Sequence, residues 1–276
     1  MSNETVGDRV DPAQLLDRQY RDSKKLEARA NLHRRYGRSD GPNWFVWIAE
    51  NARLPAGARV LDIGCGPGWL WEGGKSGFPS GLEVTLADFS PAMVEAAVEQ
   101  ARAADHYASV EGVVADVSKL PFADGSFDAV LACHMLYHAP DAEAALRELR
   151  RVLVPGGIIA VTTNAEGNME PFYALGAAAF GGAASDPAAD IFGLRRAAQL
   201  MAELFDDVTS MSVSGDLRVT SAEDLVLALT SFPPGQDAED AAVSRLYDLT
   251  QAAMAAGGGA ITVPKTQGMV RGLAPR

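Results

Sequence analysis

The chain has only two cysteines, Cys65 and Cys133, in 276 residues. That is too few for a disulfide framework, and neither forms a C-x-x-C pair or sits beside a histidine cluster with zinc spacing. A reducing cytoplasm is the expected setting. There is no apolar run approaching the roughly 18 to 20 residues of a membrane span: the most apolar late stretch, Phe172 to Ala184, is short and interrupted by glycine. The start, Met1 to Asp11, lacks the charged-then-apolar pattern of a secretory signal. Basic residues are also in deficit, with 24 Lys plus Arg against 36 Asp plus Glu, a net charge of −12. That balance disfavours partners that must be neutralised, whether nucleic acid or an anionic membrane. No repeat of solenoid period and no long low-complexity run is present. A hydrophobic share of 47% with 22% charged residues is that of an ordinary globular chain, and the length suits one domain with embellishments.

The pattern from about Pro12 to Gly37 is helical and charged, and Trp44 to Leu54 reads as a second helix after the turn Ser39-Asp40-Gly41-Pro42. Short β-branched or apolar runs then alternate with helical ones. Arg59 to Ile63, Glu83 to Ala87, Val110 to Ala115, Phe127 to Ala132 and Ile158 to Thr163 read as strands, with Pro91 to Ala103 and Asp141 to Leu153 as the clearest helices between them. Such alternation predicts an α/β fold with a doubly wound parallel sheet and right-handed crossovers. Later helices are expected at Met169 to Phe180, Ile191 to Leu204, Ser221 to Thr230 and Ala238 to Ala255. A strand is expected near Asp207 to Val213, and another after Pro264, with that proline in first position because it cannot donate a ladder hydrogen bond.

Val60 to Gly68, VLDIGCGPG, is an apolar strand running into Gly64, Gly66 and Gly68, a sequence that lets a backbone approach a ligand at the carboxyl edge of a parallel sheet. Three carboxylates add to the signal. Asp62 precedes the first glycine, Asp88 ends the second strand and Asp116 ends the third. A carboxylate at the end of strand two is placed to accept both ribose hydroxyls of an adenosine. The glycine spacing differs from the G-x-G-x-x-G of nicotinamide binders.

VLDIGCGPG, LADFSPAM (Leu86 to Met93), VVADVSKLPFADGSFDAV (Val113 to Val130) and LRELRRVLVPGGIIAVTT (Leu146 to Thr163) together resemble the successive motifs of class I S-adenosylmethionine-dependent methyltransferases, closest to the group that methylates small molecules. The resemblance covers about Arg59 to Thr163. It implies a Rossmann-like seven-stranded mixed sheet, with an N-terminal helical lid over 1–54 and a methyltransferase domain over 55–276 that carries helical caps near 165–205 and 216–258. It also implies S-adenosyl-L-methionine as cofactor, with Gly64, Gly66 and Gly68 along its methionine and ribose part and Asp62 near its amino group. Asp88 would hold the ribose hydroxyls, Asp116 and the Val117 backbone the adenine edge, and Phe89 and Met93 the adenine faces. A cofactor-binding regulator, or an enzyme acting on protein or RNA, shares these motifs.

After Gly68 the chain reads Trp69-Leu70-Trp71-Glu72-Gly73-Gly74, and paired glycines predict a short first crossover helix. Either tryptophan could line the pocket or cover the sheet. Strand four delivers Cys133, His134, Met135, Leu136, Tyr137 and His138 to the reacting end. His134 is the first candidate for removing a proton from an acceptor, with His138 and Tyr137 beside it and His33 in reserve. This strand end lacks the Asn/Asp-Pro-Pro-aromatic run of adenine-amino and glutamine-amide methylators; Phe232-Pro233-Pro234-Gly235 lies elsewhere. No metal-ligand cluster is visible. Arg29 and His33 share a helical face with Leu26 and Ala30, so the N-terminal helix reads as a lid with Tyr20 and Arg29 near the methionine end of the cofactor. The later helices, carrying Phe172, Tyr173, Phe180, Phe192 and Met201, are expected to roof an acceptor with some apolar surface. The expected partner is a small molecule.

Overall fold

A computed structural model describes residues 24–37 and 43–276. Tyr20 and the turn at 39–42 lie outside the described residues. The chain runs α1 (Lys24–Tyr36), α2 (Trp44–Ala52), β1 (Arg59–Ile63), α3 (Trp69–Gly73), β2 (Glu83–Asp88), α4 (Pro91–Ala103), β3 (Ser109–Val114) and β4 (Phe127–Cys133). It continues with α5 (Ala142–Val152), β5 (Leu153–Asn164), α6 (Glu170–Phe180), α7 (Pro187–Phe192), α8 (Leu194–Leu204), β6 (Asp206–Val219), α9 (Ala222–Leu229), α10 (Asp240–Ala256) and β7 (Ile261–Leu273). The seven strands lie in the order β3-β2-β1-β4-β5-β7-β6. The first five are parallel, and β7 runs antiparallel to both β5 and β6.

Strand alternation explains the layers. Leu61, Ile63, Val130 and Ala132 point to one face and pack with α5 and α8, whereas Val60, Ala129 and Leu131 point to the other and pack with α2, α3 and α4. Helix starts follow local capping chemistry: the Ser90 hydroxyl accepts from Met93 N with Pro91 in the first turn, and Asp141 accepts from Ala144 N. The strand order reverses between β1 and β4, so their carboxyl ends open the crevice where ligands of such sheets bind.

A third cluster stands apart from the sheet faces. Leu32 of α1 meets Phe172, Leu225, Leu229, Leu246 and the far ends of β6 and β7, Leu217 and Val263. Helix α1 is fastened there: Arg35 pairs with Asp224 at 2.7 Å, the Tyr36 hydroxyl donates to the same carboxylate, and Gly37 bridges Leu217.

Four expectations change. The helix expected over 191–204 is two helices broken at Gly193, whose backbone is extended and where a Cβ would come 2.5 Å from the Ala189 carbonyl oxygen. Strand β6 extends to Val219, and β7 starts at Ile261, so Pro264 is inside a strand rather than first in it. The proline is tolerated because β5 pairs with β7 only from Gln267 onward. Its carbonyl accepts from Met169 N, which turns its nitrogen away from β6 as well, and no ladder donor is lost. Finally, Phe192 and Met201 do not roof a cavity. Both are fully buried in the sheet-face core beside α5.

Candidate functional site

The glycine turn after β1 is clamped to the next strand, since Gly64 N and Cys65 N both donate to the Ala87 carbonyl, at 2.8 and 3.1 Å. Its glycines serve different ends. A Cβ on Gly64 would lie 2.6 Å from the Met135 Cβ, and one on Gly68 2.7 Å from the Ala97 Cα, so both permit close packing of protein on protein. Gly66, at φ +52°, has nothing within 4 Å of such a Cβ. It is the glycine that faces open space.

Two carboxylates flank it. Asp88 accepts from Gly66 N through Oδ2 at 3.0 Å and from Ser90 N through Oδ1 at 2.9 Å, leaving lone pairs on each oxygen for further donors. Burial holds its carboxyl above the usual carboxylate range, offset in part by those backbone N–H groups. Asp62 is 1% exposed. Its Oδ2 accepts from the Trp71 indole at 2.7 Å, but Oδ1 is buried without a partner among the described residues. Burial pushes this carboxyl up to about 7, the indole hydrogen bond pulling it down and the nearby Asp88 charge pushing it further up. The choice between the two tryptophans resolves here: Trp71 is fully buried, stacked on Phe78 at 4.7 Å, and orients Asp62, while Trp69 lies under the Arg34 guanidinium at 4.7 Å. The helix carrying them is five residues long, as the glycines predict.

Ala115 N donates to the Asp88 carbonyl, which sets Asp116 next to Asp88. Asp116 is exposed and accepts from Ser118 N at 2.8 Å. Phe89 is exposed at the rim, whereas Met93 and Val117 are buried.

The other side of the crevice is assembled from distant segments. His134, at φ +53°, donates its backbone N–H to the Thr162 carbonyl and so extends β4 by one residue. Its Nε2 lies 3.2 Å from the Gln267 amide nitrogen. A chain of hydrogen bonds fixes the roles. The Asp186 carboxylate accepts from Asn164 Nδ2 at 2.8 Å, so the Asn164 oxygen faces Gln267 and accepts from Gln267 Nε2 at 3.1 Å. The atom that Gln267 presents to His134 is therefore a donor. His134 Nε2 must be the unprotonated nitrogen, its lone pair already engaged. Burial, then Lys265, lowers this imidazole to about 4.

Around it lie His33, lowered to about 3 by burial, Lys265 and His134, and His138, lowered to about 4 by burial and then Arg29. Tyr137 packs its ring on His138 at 4.5 Å. Tyr173 contacts Asp186, which with burial holds its hydroxyl well above the ordinary tyrosine range. Arg29 is close enough to shift both His138 and Tyr173. The crevice thus gathers His134, His138, Tyr137, His33 and Arg29. Asn164, Gln267, Asp186 and Lys265 escape sequence reasoning; Asn164 alone carries a signal, as the polar end of a buried strand. Among the described residues no group of three His, Cys, Asp or Glu could hold a metal.

A family model described as "Methyltransferase domain" matches residues 61–161, the span from β1 through β5 that carries the glycine turn, Asp88, Asp116 and His134. Residues 61–161 resemble a methyltransferase domain. The chain is 39% identical over 123 residues to a malonyl-[acyl-carrier protein] O-methyltransferase of Erwinia pyrifoliae, covering 45% of this chain and 44% of that one. It is 36% identical over 152 residues to a ubiquinone biosynthesis O-methyltransferase of Xanthomonas axonopodis pv. citri, covering 50% and 60%. The chain spans about half the length of the curated relatives it matches. The fold extends further: phosphoethanolamine N-methyltransferase 2 of Haemonchus contortus, solved with S-adenosyl-L-methionine, superposes with a TM-score of 0.57 at 18% identity over 96% of this chain and 60% of that one.

Proposed function

We propose that this protein transfers a methyl group from S-adenosyl-L-methionine to a small organic acceptor. The observation that carries the reading is Asp62: a buried carboxylate oxygen with no partner among the described residues, held by Trp71 beside the turn of a span that matches a methyltransferase domain. A buried acceptor atom left unmet is unfavourable, and an ammonium group would satisfy it. Gly66 provides the open face, Asp88 the lone pairs for two ribose hydroxyls, Asp116 and the Val117 backbone the adenine edge, and Phe89 and Met93 its faces. When bound, the cofactor supplies a methyl group on a positively charged sulfur.

The chain's own residues then align the acceptor and handle its proton. Where the acceptor is a hydroxyl, His138 takes that proton. It leaves the same strand end as His134, and the His134 lone pair is engaged by Gln267. His134 orients the loop that presents His138 and Tyr137. The relatives' names speak of O-methylation and of quinone and acyl substrates, which favours oxygen as the acceptor atom. Among the described residues no helix is long and apolar enough to cross a membrane. Both cysteines are unpaired, as suits work in the cytoplasm.

Calorimetry tests the reading. S-adenosylmethionine and its demethylated product S-adenosylhomocysteine should bind at micromolar affinity and NAD should not; binding of NAD in their place would overturn it.

A further inference from the structure

We infer that the acceptor carries an anionic group, a carboxylate or a phosphate, and that Arg29 holds it. The inference rests on the methyl-transfer reading and names the substrate class for it. Arg29 Nε and Nη2 are both buried, and neither has a hydrogen-bond partner among the described residues. A guanidinium does not shed its proton, so such a side chain carries its charge and its unmet donors together. That arrangement is unfavourable until an anion arrives.

Among the described residues no free anion faces it. Asp186, the buried carboxylate of this region, is committed to Asn164, Asn168, Ala188 N and Tyr173. Arg29 cannot simply swing into water with its helix, because α1 is seated through Leu32, Arg35 and Tyr36. His33, one helical turn on, also has a buried nitrogen, Nδ1, without a partner among the described residues. Lys265 acts on His33 and His134 from β7. A chain with a net charge of −12 thus sets two cations, Arg29 and Lys265, about this end of the crevice.

The place of Arg29 decides between two sources of carboxylate. Its charge acts on His138, after β4, and on Tyr173, on α6. It stands on the acceptor side rather than at the glycine turn, so the cofactor's own carboxylate is the less suited partner. A bidentate Arg–carboxylate or Arg–phosphate pair also fixes orientation, which an in-line transfer requires. An anion there would neutralise the charge that, after burial, holds His138 down.

The test uses protein saturated with S-adenosylhomocysteine, titrated calorimetrically with benzoate and with inorganic phosphate, for wild type, Arg29→Gln and Arg29→Lys. At least one probe should bind loaded wild type in the millimolar range or tighter. Arg29→Gln should weaken that binding at least tenfold, Arg29→Lys less, and both should leave S-adenosylhomocysteine affinity within threefold. The Lys variant keeps the charge on α1 and so guards against loss of the helix as the cause. Failure of both probes on loaded wild type, or equal probe binding by wild type and Arg29→Gln, overturns the assignment. A tenfold loss of S-adenosylhomocysteine affinity in Arg29→Gln overturns it too, by giving the guanidinium to the cofactor carboxylate. If wild type binds no S-adenosylhomocysteine at all, the methyl-transfer reading falls and takes this one with it.

Discussion

The two sides of the crevice use burial in opposite senses. Around the glycine turn it raises carboxyl groups, Asp62 to about 7 and Asp88 in the same direction. Across the crevice it lowers bases, His33 to about 3, His134 and His138 to about 4, and Lys265 likewise. In both places the neutral form is favoured because water is excluded. The consequence differs: Asp62 is left waiting for a cation and Arg29, which cannot neutralise, for an anion. The sides also differ in assembly. One is built almost wholly from 61–117, inside the span that matches the methyltransferase family model, while the other draws on α1, the end of β4, α6 and β7.

The sharpest way to break this contrast is at the proton-handling end. With a hydroxyl acceptor, His138→Ala is expected to lower turnover by roughly a hundred- to ten-thousandfold, as loss of a general base does, with cofactor affinity little changed. His134→Ala should lose much less. Single-turnover methylation of both variants across pH decides; full rate in His138→Ala with collapse in His134→Ala would restore His134 as the base.

A smaller effect is expected from the packing beneath the cofactor side. Trp71 is fully buried, so Trp71→Ala should cost about 3 to 5 kcal/mol of stability, measured by denaturant unfolding. It should also weaken cofactor binding by releasing Asp62. Next comes Asp88→Ala, which removes a charge-assisted acceptor and should weaken S-adenosylhomocysteine binding by about 1.5 to 3 kcal/mol in calorimetry. An unchanged affinity would take Asp88 out of the site.

The same contrast governs what the sequence makes legible. Asp62, Gly66, Asp88 and Asp116 lie at fixed offsets from strand ends, so a parallel βαβ pattern locates them before any coordinates exist. The sheet follows in the same way, except where tertiary context intervenes: Gly193 breaks a helix because a neighbouring carbonyl leaves no room for a Cβ, and Pro264 sits inside β7 because its nitrogen faces away from the ladder. The acceptor side has no such offsets. Gln267 meets Asn164 across the β5–β7 pair, and Arg29 reaches His138 and Tyr173 only because α1 docks on α9. Amphipathic spacing flags Arg29 and His33 as facing inward, but not what they face. Phe192 and Met201 show the reverse failure, since apolar helical spacing reads alike for a roof and for a core.

The mildest perturbation, pH, separates the two sides without a mutation. Asp62 is raised above its unfolded value, so between about pH 4 and pH 7 the folded protein keeps a proton that the unfolded chain has lost. Its contribution to stability is present below that window and is lost as pH rises through about 7. The three histidines are lowered, so between about pH 6.5 and pH 4 the unfolded chain binds protons that the folded one refuses, and stability falls as pH drops. The ligand-free protein should therefore be most stable near neutrality. Asp62→Asn should remove the opposing loss between about pH 4 and pH 7, so that stability falls more steeply as pH drops below about 6.5 and no longer declines between about 6.5 and 7. Cofactor binding adds a signature of its own: an ammonium group favours ionised Asp62, so below about pH 7 affinity should fall by up to about tenfold, or 1.4 kcal/mol, per pH unit, with a proton released on binding. Calorimetry in buffers of different ionisation enthalpy counts that proton. An affinity flat from pH 5.5 to 8, with no proton released, would mean that Asp62 does not meet the ammonium group.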